Sequence, residues 1–286
     1  MRLLHLSDFH YDGSRELGRS LTRMVDVGLR LDPDVVVVTG DLSANGQGDE
    51  LAVVASELAR LGSVPTVVLP GNRDLEATAG APGEAVRIPV ESDLDYFLAL
   101  EPALSFEFAD EAARRAKPAE STWLDSFGSL EPSLRVAGLQ VVTLNSTPRL
   151  ATESLERAAR RLRATPPDAL RVVALHHGLL PVPGRKLRDG DMTNRAGDIL
   201  ALLCDLHVDL VLHGHIHRAH VWQISDGRHT VVVASAGALV NDGRRDASFL
   251  EVVADGATLH INRRSVATGA PTTLYQGTRQ SSLGRS

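Results

Sequence analysis

Six short runs of apolar, mostly β-branched residues recur along the chain, and they alternate with helix-like segments. The apolarity of each run is continuous, which is typical of strands that are buried on both faces of a sheet. The runs cover residues 2–7, 34–39, 64–70, 139–145, 171–176 and 208–213, and the helix-like segments cover 16–31, 50–61, 152–164 and 194–206. Strand–helix alternation of this kind predicts an α/β fold built in layers.

The pattern changes after residue 217, where further apolar runs follow one another without helices between them. Turn signals at Asp226-Gly227 and Asp255-Gly256 indicate antiparallel strands, so we expect a mixed sheet or two sheets. We predict one domain over residues 1–268, in which residues 79–130 form an irregular insertion or lid. Residues 269–286 are polar and are predicted to be a frayed C-terminal tail.

Composition excludes several classes of protein. The 286 residues are 43% hydrophobic and carry a net charge of −6, so we expect a substantial core and no stable nucleic-acid partner. The single cysteine, Cys204, excludes an internal disulfide and a Cys-rich zinc site. No apolar run approaches the roughly 18 residues of a membrane span, and His5 and Asp8 interrupt the N-terminal stretch. We therefore expect a soluble, cytoplasmic protein, whose oligomeric state stays open.

Residues able to bind metal ions follow five of the six runs. They are Asp8, His10, Asp41, Asn72, His176, His215 and His217. The carboxyl ends of strands form the binding crevice of open α/β sheets, so these side chains are expected to converge. Imidazole combined with carboxylate suits Zn, Fe or Mn rather than Ca²⁺. Each residue also has an ordinary alternative: Asp41 could cap a helix, and Asn72 could occupy a turn.

Two ions close together would suit a phosphate ester. A single bridging carboxylate is best supplied by Asp41. Two divalent ions, two carboxylates and one bridging hydroxide leave about one positive charge, which favours a phosphate diester or monoester.

In this order, the motifs Asp-x-His, Gly-Asp, Gly-Asn-Arg-Asp, His and Gly-His-x-His resemble those of the calcineurin-like metallophosphoesterases. The resemblance covers residues 8–217. It implies an αββα sandwich of mixed sheets and a dinuclear centre with two divalent metal ions (Mn²⁺, Fe²⁺/Fe³⁺ or Zn²⁺). One ion would take Asp8, His10, Asp41 and His217, and the other would take Asp41, Asn72, His176 and His215. The spacing looks most like the bacterial class III cyclic-nucleotide phosphodiesterase branch.

One position departs from the family pattern, because Arg73 stands where a histidine is most common. A guanidinium is a poor proton donor but can neutralise charge on a phosphoryl group. We interpret Asp74 as orienting Arg73 or a ligand. His177 is either a substrate contact that donates a proton or an ordinary neighbour of the site. His213 is interpreted as a core or supporting residue.

The resulting hypothesis is a metal-dependent phosphohydrolase, namely a phosphodiesterase acting on a small-molecule phosphoester such as a nucleotide. Gly-Asn-Arg-Asp also occurs in UDP-2,3-diacylglucosamine pyrophosphohydrolases, which is the first alternative. That substrate needs an apolar groove, for which the insertion offers Tyr96, Phe97, Phe106, Phe108, Trp123 and Phe127. The acidic balance disfavours a nuclease. A non-catalytic scaffold is disfavoured because all seven ligand positions are filled.

Overall fold

Two six-stranded sheets form the centre of the protein in a computed structural model, which describes residues 1–75, 119–183, 187, 190–227, 229–239 and 246–279. The strands are β1 (Arg2–Leu6), β2 (Val35–Thr39), β3 (Thr66–Leu69), β4 (Ser133–Val136), β5 (Leu139–Thr143), β6 (Leu170–Ala174), β7 (Leu210–His213), β8 (His220–Ser225), β9 (Thr230–Ser235), β10 (Ser248–Asp255), β11 (Thr258–Ser265) and β12 (Pro271–Thr278). The helices are α1 (Arg15–Arg30), α2 (Gly48–Ala59), α3 (Asn72–Leu75), α4 (119–127), α5 (Thr152–Arg163) and α6 (Ala196–Asp205).

Both sheets are mixed. The first has the order β12-β11-β10-β1-β2-β3, in which β1, β2 and β3 are parallel and β10, β11 and β12 are antiparallel. The second has the order β4-β5-β6-β7-β9-β8, with four parallel central strands and antiparallel strands at both edges. The prediction of two mixed sheets is confirmed, and each predicted central strand is present.

Buried apolar side chains define four layers. Leu3 and Val37 of the first sheet share one buried cluster with Val172 and Leu212 of the second, so this cluster fills the space between the sheets. The opposite face of the first sheet is covered by α1 and α2, and that of the second by α5 and α6. The strands therefore carry apolar residues on both faces, which explains their continuous apolarity. The result is the αββα sandwich that the family resemblance implied.

The first helix shows how local signals set the helix positions. Ser14 caps α1, because its Oγ accepts a hydrogen bond from the backbone N–H of Leu17 at 3.3 Å. Leu21, Met24 and Val25 recur at helical spacing and are buried against the first sheet. The helix begins five residues after His10, and the loop before it is held by backbone hydrogen bonds from Asp8 to Gly40 and from His10 to Asp41, each 2.9 Å long.

The prediction of a frayed tail after residue 268 is wrong for residues 271–278, which form β12. This strand pairs with β11 along its length, with Ile261 opposite Tyr275. Leu274 and Tyr275 contact the apolar layer between the sheets. These contacts and the backbone pairing with β11 hold the otherwise polar strand in place. Pro271 lies at the first position of this edge strand, where no ladder hydrogen bond is lost.

Most of the predicted insertion, including Tyr96, Phe97, Phe106 and Phe108, lies outside the described residues. Within the part that is described, Trp123 is fully buried beside Phe127, with ring centroids 4.5 Å apart. Its Nε1–H donates to the carbonyl oxygen of Ser129 at 2.9 Å. Trp123 is thus a core residue and not part of a ligand groove. In the described part of the chain, no helix is both long and apolar enough to cross a membrane.

Candidate metal centre

The loops after β1, β2, β3, β6 and β7 meet at one edge of the two sheets, and they bring all seven predicted ligands together. The contact between the sheets is direct at this edge. Nδ1 of His176, from the second sheet, lies 2.7 Å from the carbonyl oxygen of Thr39, from the first. A carbonyl oxygen only accepts, so Nδ1 carries a proton and Nε2 is the nitrogen that faces the site.

Several residues of these loops have a left-handed backbone conformation, which residues other than glycine rarely adopt. Five of the seven residues have a left-handed backbone, and they are Asp8 (φ 56°), His10 (47°), Asp41 (53°), His215 (67°) and His217 (54°). Elsewhere in the described residues, only Asp32 and His207 share it among non-glycines. Such residues cost on the order of 1 kcal/mol or more each, and they cluster at functional sites. The stability of the surrounding sheets has to hold these loops in place.

We call one group of side chains the first cluster: Asp8, His10, Asp41 and His217. One ligand atom from each lies within 4.8 Å of the others. Nε2 of His217 is 2.8 Å from Nε2 of His10 and 3.3 Å from Oδ1 of Asp8. Nε2 of His10 is 3.7 Å from Oδ2 of Asp41. Two nitrogen and two oxygen donors therefore face one point.

The second cluster consists of Asn72, His176 and His215, together with the other oxygen of Asp41. Oδ1 of Asn72 is 3.1 Å from Nε2 of His176 and 3.1 Å from Nδ1 of His215. These two nitrogens are 3.2 Å apart, and Oδ1 of Asp41 is 3.4 Å from Nε2 of His176. The amide oxygen of Asn72 thus completes a group of four donor atoms.

The donor spacings fit bound first-row metal ions. Donors that surround one ion at about 2.1 Å stand about 3.0–3.4 Å from one another. In the second cluster, the four measured spacings lie between 3.1 and 3.4 Å. The mixture of imidazole, carboxylate and amide oxygen suits Zn, Fe or Mn. The donor atoms of the second cluster therefore fit such an ion, and those of the first cluster, 2.8 to 3.8 Å apart, stand close enough together to surround another.

The charges at the site favour cations. Burial alone would raise the pKa of Asp8, but its hydrogen bond to His217 and the nearby histidines hold that pKa below its usual range. Burial would also raise the pKa of Asp41, but the positive charge of His176 outweighs burial and holds that pKa below its usual value. Burial opposes the charged form of His176, yet Asp41 and Asp8 raise its pKa to about 9, so a metal ion bound at Nε2 would have to displace a proton there. Both carboxylates are thus ionised at neutral pH, as metal ligands must be.

Gly71 and Gly214 lie so close to neighbouring side chains that a Cβ atom does not fit at either position. A Cβ on Gly71 would lie 2.2 Å from Oδ1 of Asp41 and 2.8 Å from Cε1 of His176. A Cβ on Gly214 would lie 1.9 Å from Oγ of Ser7 and 2.6 Å from Oδ2 of Asp8. Both positions need glycine because the side chains of the clusters occupy the space that a Cβ would take.

Asp74 lies between the loops after β2 and β3. It is buried and accepts hydrogen bonds from the backbone N–H groups of Leu42 (3.0 Å), Ser43 (2.9 Å) and Gly71 (2.9 Å). Burial and the charge of Asp41 raise its pKa to about 6. Asp74 therefore ties the loop after β2 to the loop after β3, and it acts on the position of Asp41. The interpretation that Asp74 orients Arg73 or a ligand stays a prediction, and these contacts favour the ligand Asp41.

Arg73 is exposed at the rim of the site. Its backbone N–H donates to Oδ1 of Asp41 at 2.8 Å, which supports the carboxylate shared by the clusters. His177 is nearly buried, and one of its ring nitrogens lies within 4.8 Å of ligand nitrogens of His176 and His215. Burial and the charges of these two histidines lower the pKa of His177 to about 2. His213 is buried and belongs to neither cluster.

Sequence reasoning missed three supporting groups. They are the carbonyl of Thr39, the hydroxyl of Ser146 and the carboxylate of Asp191. Oδ1 of Asp191 is 3.7 Å from Nε2 of His215, the nitrogen that faces away from Asn72. Ser146 follows β5, which is the run at 139–145 and the one run left out of the ligand set, and this run also ends in polar residues and could have been included on that signal. Asp191 and Thr39 carried no such signal, because their partners are distant in sequence.

Comparison with known proteins agrees with this architecture. Residues 1–219 match the family model described as calcineurin-like phosphoesterase. The chain belongs to this family. Family members hydrolyse phosphoric ester bonds, and the two clusters found here are able to bind metal ions.

A curated relative and two solved structures are similar over most of the chain. The relative, UDP-2,3-diacylglucosamine hydrolase of Shewanella baltica (strain OS195), is 25% identical over 91% of this chain and 96% of its own length. A purple acid phosphatase from yellow lupin (Lupinus luteus) seeds has a TM-score of 0.66 at 18% identity. The match covers 98% of this chain, which spans about half (54%) of the lupin protein.

A dimetal phosphatase from Danio rerio has a TM-score of 0.64 at 13% identity, and the match covers 98% of this chain and 99% of that one. At these identities, the two solved structures show the shared fold alone.

Proposed function

We propose that the first and second clusters each hold one divalent ion, that Asp41 bridges them, and that the chain hydrolyses phosphodiesters of small molecules such as nucleotides. The observation that carries the proposal is the position of Asp41. Its Oδ2 faces His10 of the first cluster at 3.7 Å, and its Oδ1 faces His176 of the second at 3.4 Å. One carboxylate between two donor sets is the arrangement that a two-metal hydrolase needs.

When bound, two such ions supply an activated water molecule and neutralise the charge that develops on the phosphoryl oxygens. The protein supplies the positions. Asp8 accepts the backbone N–H of His215 at 3.0 Å, so it holds the loop of the second cluster while facing the first. Exposed Arg73 is placed to neutralise a phosphoryl oxygen from the solvent side.

A second candidate is hydrolysis of a pyrophosphate-linked substrate of the UDP-2,3-diacylglucosamine type. Arg73 favours it, because a guanidinium cannot protonate an alkoxide leaving group, whereas a departing phosphate ester needs no proton. The similarity to the Shewanella baltica hydrolase is independent support. Both candidates use the same two clusters and differ in the leaving group.

The test compares three substrates on metal-depleted protein that is reloaded with Mn²⁺. They are bis(p-nitrophenyl) phosphate, p-nitrophenyl phosphate and UDP-2,3-diacylglucosamine. We expect diester cleavage to exceed monoester cleavage, and we expect Asn72→Ala to abolish it. Asn262→Ala is the matched control, since Asn262 is also half-buried but lies on β11, away from the site.

Turnover of the pyrophosphate substrate alone would replace the first candidate with the second. Two bound ions without turnover of any of the three substrates would contradict both.

A further inference from the structure

Ser146 lies next to the second cluster and contacts the histidine that follows a proposed ligand. The residue is buried, with 2% of its surface exposed. Its Oγ lies 2.8 Å from Nδ1 of His177, and it also accepts the backbone N–H of His177 at 3.1 Å. One hydroxyl therefore fixes both the ring and the backbone of His177.

The loop that carries Ser146 is itself held in place. The side chain of Asn145 accepts the backbone N–H of Thr147 at 3.0 Å, which closes a tight turn around Ser146. The backbone N–H of Asn145 donates to Oε1 of Glu131 at 3.0 Å. β5 and β6 are parallel neighbours, with Thr143 opposite Ala174, so the loops that follow them emerge side by side.

The hydrogen bonds of Ser146 favour one tautomer of His177. The Ser146 hydroxyl accepts the backbone N–H of His177, and it can donate its own proton to Nδ1 at 2.8 Å. An Nδ1 that accepts leaves the ring proton on Nε2. The ring centroid of His177 is 4.6 Å from that of His215 and 5.0 Å from that of His176, so the ring stands beside the second cluster.

We propose that Ser146 is a positioning residue that holds His177 as an Nε2–H donor to a phosphoryl oxygen of the substrate, and not as a further metal ligand. This inference rests on the proposed function, since it places a phosphoryl group at the second cluster. A nitrogen that carries a proton has no lone pair for a metal ion. The donor is fixed before the substrate binds, so little reorganisation is needed when charge develops on the phosphoryl oxygen.

The direct test is the tautomer of His177 in Zn²⁺-loaded protein. Ring ¹⁵N shifts distinguish a protonated nitrogen from a bare or metal-bound one, and the signals of His177 are those lost in His177→Ala. We expect a protonated Nε2 and an unprotonated Nδ1 in the native chain. A bare or metal-bound Nε2 would overturn the proposal, and this measurement needs no variant of Ser146 and no turnover.

The functional test uses Ser146→Ala, with inorganic phosphate as the probe of the phosphoryl site. We expect the Kd for phosphate to rise about tenfold, as for one lost hydrogen bond to a charged group, while two Zn²⁺ ions stay bound. Ser146→Thr keeps the hydroxyl and should restore binding. Ser235→Ala is the matched control, because Ser235 is equally buried (2% exposed) and ends β9 outside the clusters.

The outcomes separate this inference from the proposed function. Loss of one Zn²⁺ ion in Ser146→Ala would make His177 a ligand and overturn the proposal. A Kd for phosphate equal to that of Ser235→Ala would reduce Ser146 to a structural role and would also overturn it. Native protein that binds two ions and phosphate but hydrolyses no ester would contradict the proposed function while leaving the tautomer result in place.

Discussion

The two clusters are held in place in different ways. All four residues of the first cluster have a left-handed backbone, and the His217 side chain is 42% exposed. Of the residues that belong to the second cluster alone, only His215 has that conformation, and His176 is fully buried with its Nδ1 bonded to the carbonyl of Thr39. The first cluster therefore depends on strained loops, whereas the second depends on burial and hydrogen-bond partners.

The difference has a physical reason. His10 and His217 reach the first cluster from loops that leave the sheets at the solvent edge, so the backbone itself has to turn sharply to aim them. His176 directly follows the buried run that forms β6, so its direction is set by the sheet and its ring is set by Thr39. We expect the second cluster to respond to changes in packing and the first to changes in loop geometry.

Asp41→Asn should have the largest effect, because Asp41 is the residue that the two clusters share. Both ions lose a ligand, so we expect activity to fall by more than the about 10- to 100-fold that is typical of a change outside the ligands. Mass spectrometry measures the number of bound metal ions, and hydrolysis of bis(p-nitrophenyl) phosphate measures the activity. Asp32→Asn is the control, since Asp32 has the same backbone conformation (φ 52°) away from the site. Retention of two tightly bound ions would argue against a bridging role.

Gly71→Ala tests whether steric room near both clusters matters. The added Cβ would displace Asp41 or His176, and a shift of about 1 Å at a reacting centre can cost about 100-fold in rate. Gly197→Ala is the matched control, because a Cβ there meets no atom within 4 Å and the position is helical. Equal kcat/KM for the two variants would show that the loop adapts freely.

Asp74→Asn weakens the tie between the loops after β2 and β3 and leaves every proposed ligand in place. An amide offers one acceptor oxygen where the carboxylate offers two, so the backbone N–H groups of Ser43 and Gly71 cannot both be satisfied as before. We expect metal affinity to fall about tenfold, measured by competition with a chelating dye. An unchanged affinity with a changed Arg73-dependent rate would restore the idea that Asp74 acts on Arg73.

Comparing His176→Ala with His217→Ala in metal-free protein measures how much each side chain stabilises the fold when no ion is bound. His176→Ala removes a fully buried ring and the nearer of two side-chain donors to the Thr39 carbonyl, the other being Oγ of Ser7 at 3.3 Å, which costs about 1–3 kcal/mol in the free energy of unfolding. His217→Ala removes a side chain that is 42% exposed and should cost less. Urea unfolding at equal protein concentration measures both. Equal losses would mean that the two clusters are held in the same way.

Much of the fold was predictable from local patterns. The run 34–39 became β2, residues 152–164 became α5, and the layered arrangement followed from continuous apolarity between polar strand ends. The identities of the candidate ligands also followed, because metal-binding side chains such as Asp8 and His215 stand directly after apolar runs. These features depend on neighbours in sequence, which is why a single chain reveals them.

The pairings that aim these side chains were decided by tertiary structure alone. His176 and Thr39 are 137 residues apart, and Ser146 and His177 are 31 apart in the loops after two different strands. The strand β12 was misjudged for the same reason, and the hydrogen bonds of Asp74 could not be predicted, since each depends on partners that only the folded sheets bring within reach. Residue type and spacing thus determined which side chains are able to bind metal ions. The packing of the two sheets, whose loops meet at one edge, decided which atoms of those side chains face one another.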